Sequence, residues 1–404
     1  MHAAKTTGRP KHFRGVHYVM FAMVLLLSFF TTYLLLASNR VITPPQQPVT
    51  PTNVVADQVP TLSSSVVIGG LSHPWDVAFL PNKTMLITER GGAVSSIRDG
   101  RKSALFTPDD VVVRGEGGML GLTIDPDFAQ NHYVYTCFNS DKSGAVDVRV
   151  VRWELNDDGT NLVKRSADIV TGIPASTSGR HSGCRIGFGP DRNLWIGTGD
   201  AANENNSQNL QSLGGKILRV ARDGKGVVGN LGGTADTRIY SYGHRNTQGL
   251  AFYDSARNGS YGVNAEHGSD RDDEINPLTK GNFGWAPGSG YDESVPMTDS
   301  SRFPDAVKSM WNSGNPTIAI SGSAFLKGSQ WGNWEGRLAV GVLKDKHLML
   351  LEIKPDGSLG EQEKLLDGEF GRIRAVTLGP DGALYISTDN GADDKIVKLV
   401  ASIQ

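Results

Sequence analysis

The chain has 404 residues, with 40 Lys+Arg against 42 Asp+Glu and a formal net charge of −2. That balance argues against a nucleic-acid partner, which calls for a basic excess. A charged content of 20% with 38% hydrophobic residues excludes disorder throughout. The 49 Gly and 19 Pro exceed ordinary usage with no collagen-like period, so many tight turns, and hence many short strands, are expected. Cys137 and Cys184 are the only cysteines. They provide neither a disulfide framework nor an all-cysteine zinc site.

Along the chain, Lys5, Arg9, Lys11 and Arg14 precede an uncharged run over 17–37 that is almost wholly apolar from Tyr18. As a helix it spans roughly 30 Å, one hydrocarbon core. The run is longer than a cleaved leader's apolar stretch, Leu35-Leu36-Ala37 is a poor cleavage site, and no Cys follows for lipid attachment. The expectation is a cytoplasmic basic tail (1–16) and one transmembrane helix (17–37) in the cytoplasmic membrane. The N-terminus lies inside and the rest of the chain faces the periplasm or the exterior. Pro44, Pro45, Pro48, Pro51 and Pro60 mark 38–62 as an extended linker, so the folded domain covers 63–404.

Two kinds of segment recur in that domain. The first is a strand, a turn containing Pro with Asp or Asn, and a second strand. It occurs at Pro81-Asn82, Asp125-Pro126-Asp127, Pro190-Asp191 and Pro380-Asp381-Gly382. The second is a strand ending in Asp-Gly, at Gly100, Gly159, Gly224 and Gly357. These glycines recur at about 60 residues, the last after about two periods, so the domain holds five or six four-stranded units. Such repetition describes an all-β propeller. An array of β-sandwiches is the competing architecture, and no amphipathic helices alternate with the strands to support a βα fold.

Several inter-strand loops are dense in polar groups. Arg180-His181 and Thr198-Gly199-Asp200 flank the strands of one hairpin, which brings a histidine and a carboxylate together as a general base and its orienter. Tyr242-Gly243-His244-Arg245-Asn246-Thr247-Gln248-Gly249 sets polar side chains between glycines. The acidic run from Glu266 through His267 and Asp273 to Glu274 offers hard oxygen ligands for Ca²⁺. Lys344, Arg372 and Arg374 invite an anion, the two arginines lying on one side of a strand. Taken one by one, these also read as a structural histidine, a self-bonded turn, a solvated acidic loop and surface cations.

Their order and wording together resemble the pyrroloquinoline-quinone (PQQ) dependent soluble glucose/aldose sugar dehydrogenases over about residues 66–400. The matching stretches begin with His73-Pro74-Trp75 and Thr88-Glu89-Arg90, then Gly115-Glu116-Gly117-Gly118-Met119-Leu120-Gly121 and Asp125-Pro126-Asp127-Phe128. They continue with Arg180-His181 and Gly199-Asp200, Tyr242 to Gly249, and Asp273-Glu274-Ile275-Asn276 with Gly284-Trp285. Arg372-Ile373-Arg374 closes the set.

The resemblance implies a six-bladed β-propeller and a quinoprotein that oxidises the C1 hydroxyl of an aldose to a lactone. It implies His181 as the catalytic base, Asp200 as its orienter and Arg245 facing the charge that develops on the quinone. Arg245, Asn246, Thr317, Lys344, Arg372 and Arg374 then hold PQQ, three arginines and a lysine against three carboxylates. One Ca²⁺ sits on the backbone carbonyls of Gly268 and Ser269, and a second on Glu274, Phe283, Ser289 and Glu293. Implied partners are a sugar and an external electron acceptor, with no nucleic acid. Glu116 stands near the cofactor where well-known members carry Gln, His267 where some carry Gln, and Ser269 where Pro is usual. Two other functions stay open on the same fold: a non-catalytic carbohydrate- or protein-binding propeller and a Ca²⁺-dependent lactonase. Cys137 and Cys184 can pair in an oxidising compartment, though their spacing does not require it.

Overall fold

The computed structural model describes residues 58–155 and 162–403. The expected tail, membrane span and most of the linker lie outside the described residues. Among the described residues, no helix is long and apolar enough to cross a membrane. Strand pairing begins at Thr61, two residues ahead of Ser63.

Six antiparallel sheets account for the domain. Blade 1 is Pro74–Phe79, Met85–Glu89, Val94–Arg98 and Arg101–Phe106. Blade 2 is Met119–Ile124, Tyr133–Ser140, Asp147–Leu155 and Leu162–Pro174. Blade 3 is Gly183–Phe188, Leu194–Thr198, Lys216–Val220 and Ile239–Tyr242. Blade 4 is Thr247–Arg257, Ser260–Glu266, Glu274–Pro277 and Trp311–Asn312. Blade 5 is Ile320–Phe325, Leu338–Val342, Leu348–Ile353 and Leu359–Leu365. Blade 6 is Ile373–Leu378, Leu384–Thr388 and Asp394–Ser402, completed by the N-terminal strand Thr61–Leu71. The first strands of successive blades contact one another, and the sixth returns to the first. The ring is therefore closed by strands from both ends of the domain, which protects the last sheet edge.

The turn signals fall where the sequence puts them. Each Pro-containing turn joins the first and second strands of a blade. Asp99 and Gly100, both at positive φ, make a two-residue hairpin between third and fourth strands. Among the described residues, turns of these two kinds share one face of the propeller; the turn expected at Gly159 lies outside them. The connections from second to third strand, and from one blade to the next, emerge on the other face.

The glycine excess has a second cause besides turns. A Cβ on Gly121 would strike the Cys184 carbonyl of the next blade, and one on Gly249 would strike the Ser321 carbonyl. At these two points neighbouring first strands approach too closely for a side chain. Farther out, buried side chains fill the gaps between blades; Trp75, Leu120, Tyr135, Ile186 and Leu218 share one such cluster. Cys137 of blade 2 and Cys184 of blade 3 form a buried disulfide across the same seam.

Blade 2 also carries an ion network. Arg165 bonds Asp110 and Asp168 at 2.8 and 2.7 Å, and the buried Arg149 bonds Asp147 and Asp168. Burial pushes both Asp110 and Asp168 up, but Arg165, with Ser140 at Asp110, outweighs it, so both carboxyls titrate below the usual 3.8. A depressed acid contributes stability that is present above its unfolded value and lost as pH falls through the folded one. Arg165→Met should therefore destabilise the domain by about 1 kcal/mol at pH 7, the partly exposed carboxyls being screened by solvent. The gap to wild type should close as pH drops below 3.8, measured by urea melts across pH.

Candidate functional site

Every candidate except those in one long insertion lies in, or at the edge of, a connection on the face opposite the Pro turns. Glu116 precedes blade 2. His181 precedes blade 3 and Asp200 follows its second strand. Arg245 and Asn246 link blades 3 and 4, and Gly268 and Ser269 follow the second strand of blade 4. Thr317 precedes blade 5, Lys344 follows its second strand, and Arg372 and Arg374 open blade 6. The insertion begins as Gly281–Asn282, which runs parallel to Ser241-Tyr242 and so returns the chain to the same face. Residues 283–310 follow, carrying Phe283, Trp285, Ser289, Tyr291 and Glu293.

The hairpin register sets Gly183 opposite Thr198, and this brings the buried His181 and Asp200 together at 2.8 Å through Nδ1 and Oδ1. Asp200 is held on every side. The Ala202 N–H donates to Oδ1 at 2.8 Å, while Trp285 Nε1 and the Tyr291 hydroxyl donate to Oδ2 at 2.8 and 2.6 Å. With Nδ1 turned to the carboxylate, Nε2 is the nitrogen left for a ligand. Burial and the Asp200 carboxylate push the Tyr291 phenol well above its usual range, so it stays a donor.

A polar chain runs from this dyad across the hub. The Glu116 carboxylate accepts the His181 N–H at 3.2 Å and the Asn246 amide at 3.1 Å. The Asn246 Oδ1 accepts from Gln248, whose Oε1 accepts from Arg374 at 2.8 Å. Arg374 pairs with Asp389 at 2.6 Å, and Arg372 donates to the Asp389 backbone carbonyl. Arg245 pairs with Glu293 at 2.6 Å, a carboxylate that also holds Arg180 at 2.8 Å. Lys344 is exposed, and its backbone N–H bonds the Ile318 carbonyl beside Thr317.

Between these groups lies His267. Burial, then Arg374, Arg245 and His181, pull its imidazole down to about 3, so it is neutral at any working pH. Its Nε2 and the Ser269 Oγ are buried with no hydrogen-bond partner. Two orphaned polar atoms beside Arg374, Arg245 and His181 mark where a polar ligand belongs. A cavity of about 780 Å³ instead opens on the opposite face, lined by Phe79, Phe252 and Phe325 above the Asp76–Arg185 pair. It holds none of the candidates, so the site is assigned by its chemistry.

The loop that offers the Gly268 and Ser269 carbonyls is stapled by Asp273, which accepts the N–H groups of Gly268, Ile318 and Ala319 at 2.9, 2.7 and 2.6 Å. Glu274 is buried, and burial and the neighbouring Glu266 raise it to about 8. It bonds Thr298 and Asn276. Phe283 stacks on His244, Ser289 is exposed, and Glu293 faces the arginines. Among the described residues, no hydrogen bond draws these four implied ligands together.

The profile of the glucose/sorbosone dehydrogenase family matches residues 71–398. The chain belongs to that family. It is thus an oxidoreductase of the sugar-dehydrogenase kind. It is 31% identical to the aldose sugar dehydrogenase YliI of Escherichia coli over 83% of this chain and 92% of that protein. It is 25% identical to quinoprotein glucose dehydrogenase B of Acinetobacter calcoaceticus over 86% of this chain and 89% of that one. The PQQ-bound aldose sugar dehydrogenase of Streptomyces coelicolor is similar in structure. The TM-score is 0.70 at 32% identity, covering 85% of this chain and 99% of that one.

Against that family background, two residues that sequence reasoning missed stand out. Tyr291 lies in an insertion with no strand period to place it. Lys216, fully buried in blade 3, donates to the carbonyls of Asn206, Ser207 and Gly214 at 2.7, 3.0 and 2.6 Å and so pins the loop behind Asp200. A strand lysine reads as a surface residue unless the carbonyls over it are known.

Proposed function

We propose that this chain is a quinoprotein that oxidises the C1 hydroxyl of an aldose to a lactone, with PQQ and Ca²⁺ at the site just described. The observation that carries the reading is the His181–Asp200 dyad, with Nε2 left bare, beside Arg245, Arg374 and the unpartnered His267 Nε2 and Ser269 Oγ. These residues suit a tricarboxylate quinone: Arg245, Arg372, Arg374 and Lys344 supply positive charge, and Asn246 and Thr317 supply neutral polar groups. The Gly268 and Ser269 carbonyls are hard oxygen donors of the kind Ca²⁺ takes.

His181 Nε2 takes the proton of the anomeric hydroxyl. Asp200 fixes the imidazole's tautomer through Nδ1 and stabilises the imidazolium that results. Arg245, backed by Trp285 at 5.7 Å, directs positive charge into the pocket. Bound PQQ would supply the two-electron acceptor for the C1 hydride, and an external acceptor would take those electrons up.

The chain is anchored by 17–37 and faces outward. The Cys137–Cys184 disulfide supports this, since such bonds persist in oxidising compartments.

The non-catalytic propeller has one observation in its favour: Arg374 and Arg245 already carry carboxylate partners, Asp389 and Glu293. Dye reduction decides between the two. The domain supplied with PQQ and Ca²⁺ should reduce an artificial acceptor with at least one aldose from a panel. Folded, quinone-loaded protein that reduces none would leave the binding propeller. Lactone hydrolysis without any acceptor would point to the lactonase.

A further inference from the structure

We propose that Tyr291 is a positioning residue for the His181 base, fixing Asp200 and the imidazole so that Nε2 stays bare. The proposal rests on reading His181 as the proton acceptor. Its hydroxyl donates to Asp200 Oδ2 at 2.6 Å and also lies 2.9 Å from His181 Nδ1. The phenol therefore closes a three-membered contact. Nδ1–H faces both Asp200 Oδ1 and the phenol oxygen, and the phenol proton goes to the second carboxylate oxygen.

The backbone is shaped to deliver that hydroxyl. Tyr291 sits at φ 62, a left-handed conformation that a bulky residue rarely adopts. Its N–H donates to Glu204 at 2.9 Å, and Gly288 and Asp292 exchange backbone hydrogen bonds of 2.8 and 3.2 Å around it. Two residues on, Glu293 ties the segment to Arg245 and Arg180. A ring that merely filled space would need none of these anchors.

The hydroxyl has a defined electrostatic effect. Of the donors on Asp200, it makes the shortest contact. Removing the hydroxyl should leave more of the carboxylate charge for Nδ1–H, a larger effect than loss of the weakly accepting phenol oxygen. Other charged and titratable groups face His181 too: Glu293, Glu116, Arg180, Arg245 and His267. Tyr291→Phe alters none of them, which isolates the hydroxyl.

The test follows the His181 imidazole by ¹⁵N NMR in the quinone-free domain, assigned by difference from His181→Asn. Tyr291→Phe should raise the His181 titration midpoint by about half a pH unit and weaken the Nδ1–H tautomer. Replacing Tyr291 by 3,5-difluorotyrosine, a stronger donor of the same shape, should move the midpoint down. This second variant decides the matter should the first fail to fold. In the loaded enzyme, Tyr291→Phe should lower kcat several-fold below the new midpoint and leave KM unchanged. An unchanged midpoint and tautomer in both variants would overturn the proposal. Because the NMR readout needs no quinone, failure to bind PQQ would sink the proposed function without altering this result.

Discussion

His181→Ala should lower kcat by about 10³- to 10⁴-fold while PQQ affinity stays near wild type. The expectation follows from where the imidazole sits. His181 is buried, Nδ1 is engaged by Asp200, and the cationic groups that would hold the cofactor come from other blades. Removing the ring deletes the proton acceptor and leaves the anion-binding groups in place. The ring's other polar contact is the Tyr291 hydroxyl, itself anchored on Asp200, and the backbone bond in which Glu116 accepts the His181 N–H is kept by alanine. A stopped-flow measurement of the reductive half-reaction separates the two effects. Loss of binding together with turnover would show that the histidine is a structural member of the pocket and not its base.

The second large effect is on binding. Arg374→Ala should weaken PQQ by about 100- to 1,000-fold, roughly 3–4 kcal/mol. Arg374 stands at the meeting point of the site: it pairs with Asp389, donates to Gln248 and stacks near Trp75 at 5.9 Å. Truncation removes a cation and takes from the buried Asp389 its guanidinium partner, leaving the His73 contact at 2.5 Å. Arg374→Lys keeps the charge but loses the planar fork, so it should fall between the two. Equilibrium titration of each variant, with thermal melts alongside, distinguishes weaker binding from a damaged hub. Arg165→Met, in the remote blade 2 network, should bind PQQ as wild type does.

Much of this was legible because the motifs are local. The Pro and Asp-Gly turns carry their own φ preferences, so those among the described residues mark turns on one face of the ring. His181 and Asp200 could be paired on paper because antiparallel register brings the two ends of a hairpin together. Arg372 and Arg374 share a strand side and do meet, at Asp389. What stayed hidden depends on long-range closure. The partners of Glu293 are one case: the insertion folds back and sets it against Arg245 and Arg180. Tyr291 has no neighbour in sequence that announces its partner. Half the meaning of the glycines was also missed, because hub crowding at Gly121 and Gly249 depends on where six strands converge.

The central claim is a single pocket that holds a quinone beside one imidazole. Titrating the purified domain with PQQ in the presence of Ca²⁺, and following the absorption of the bound quinone, tests it most directly. A saturable spectral change at one equivalent is expected, abolished by excess chelator and weakened in Arg374→Ala. A folded domain that leaves the spectrum of free PQQ unchanged at any ratio would contradict it.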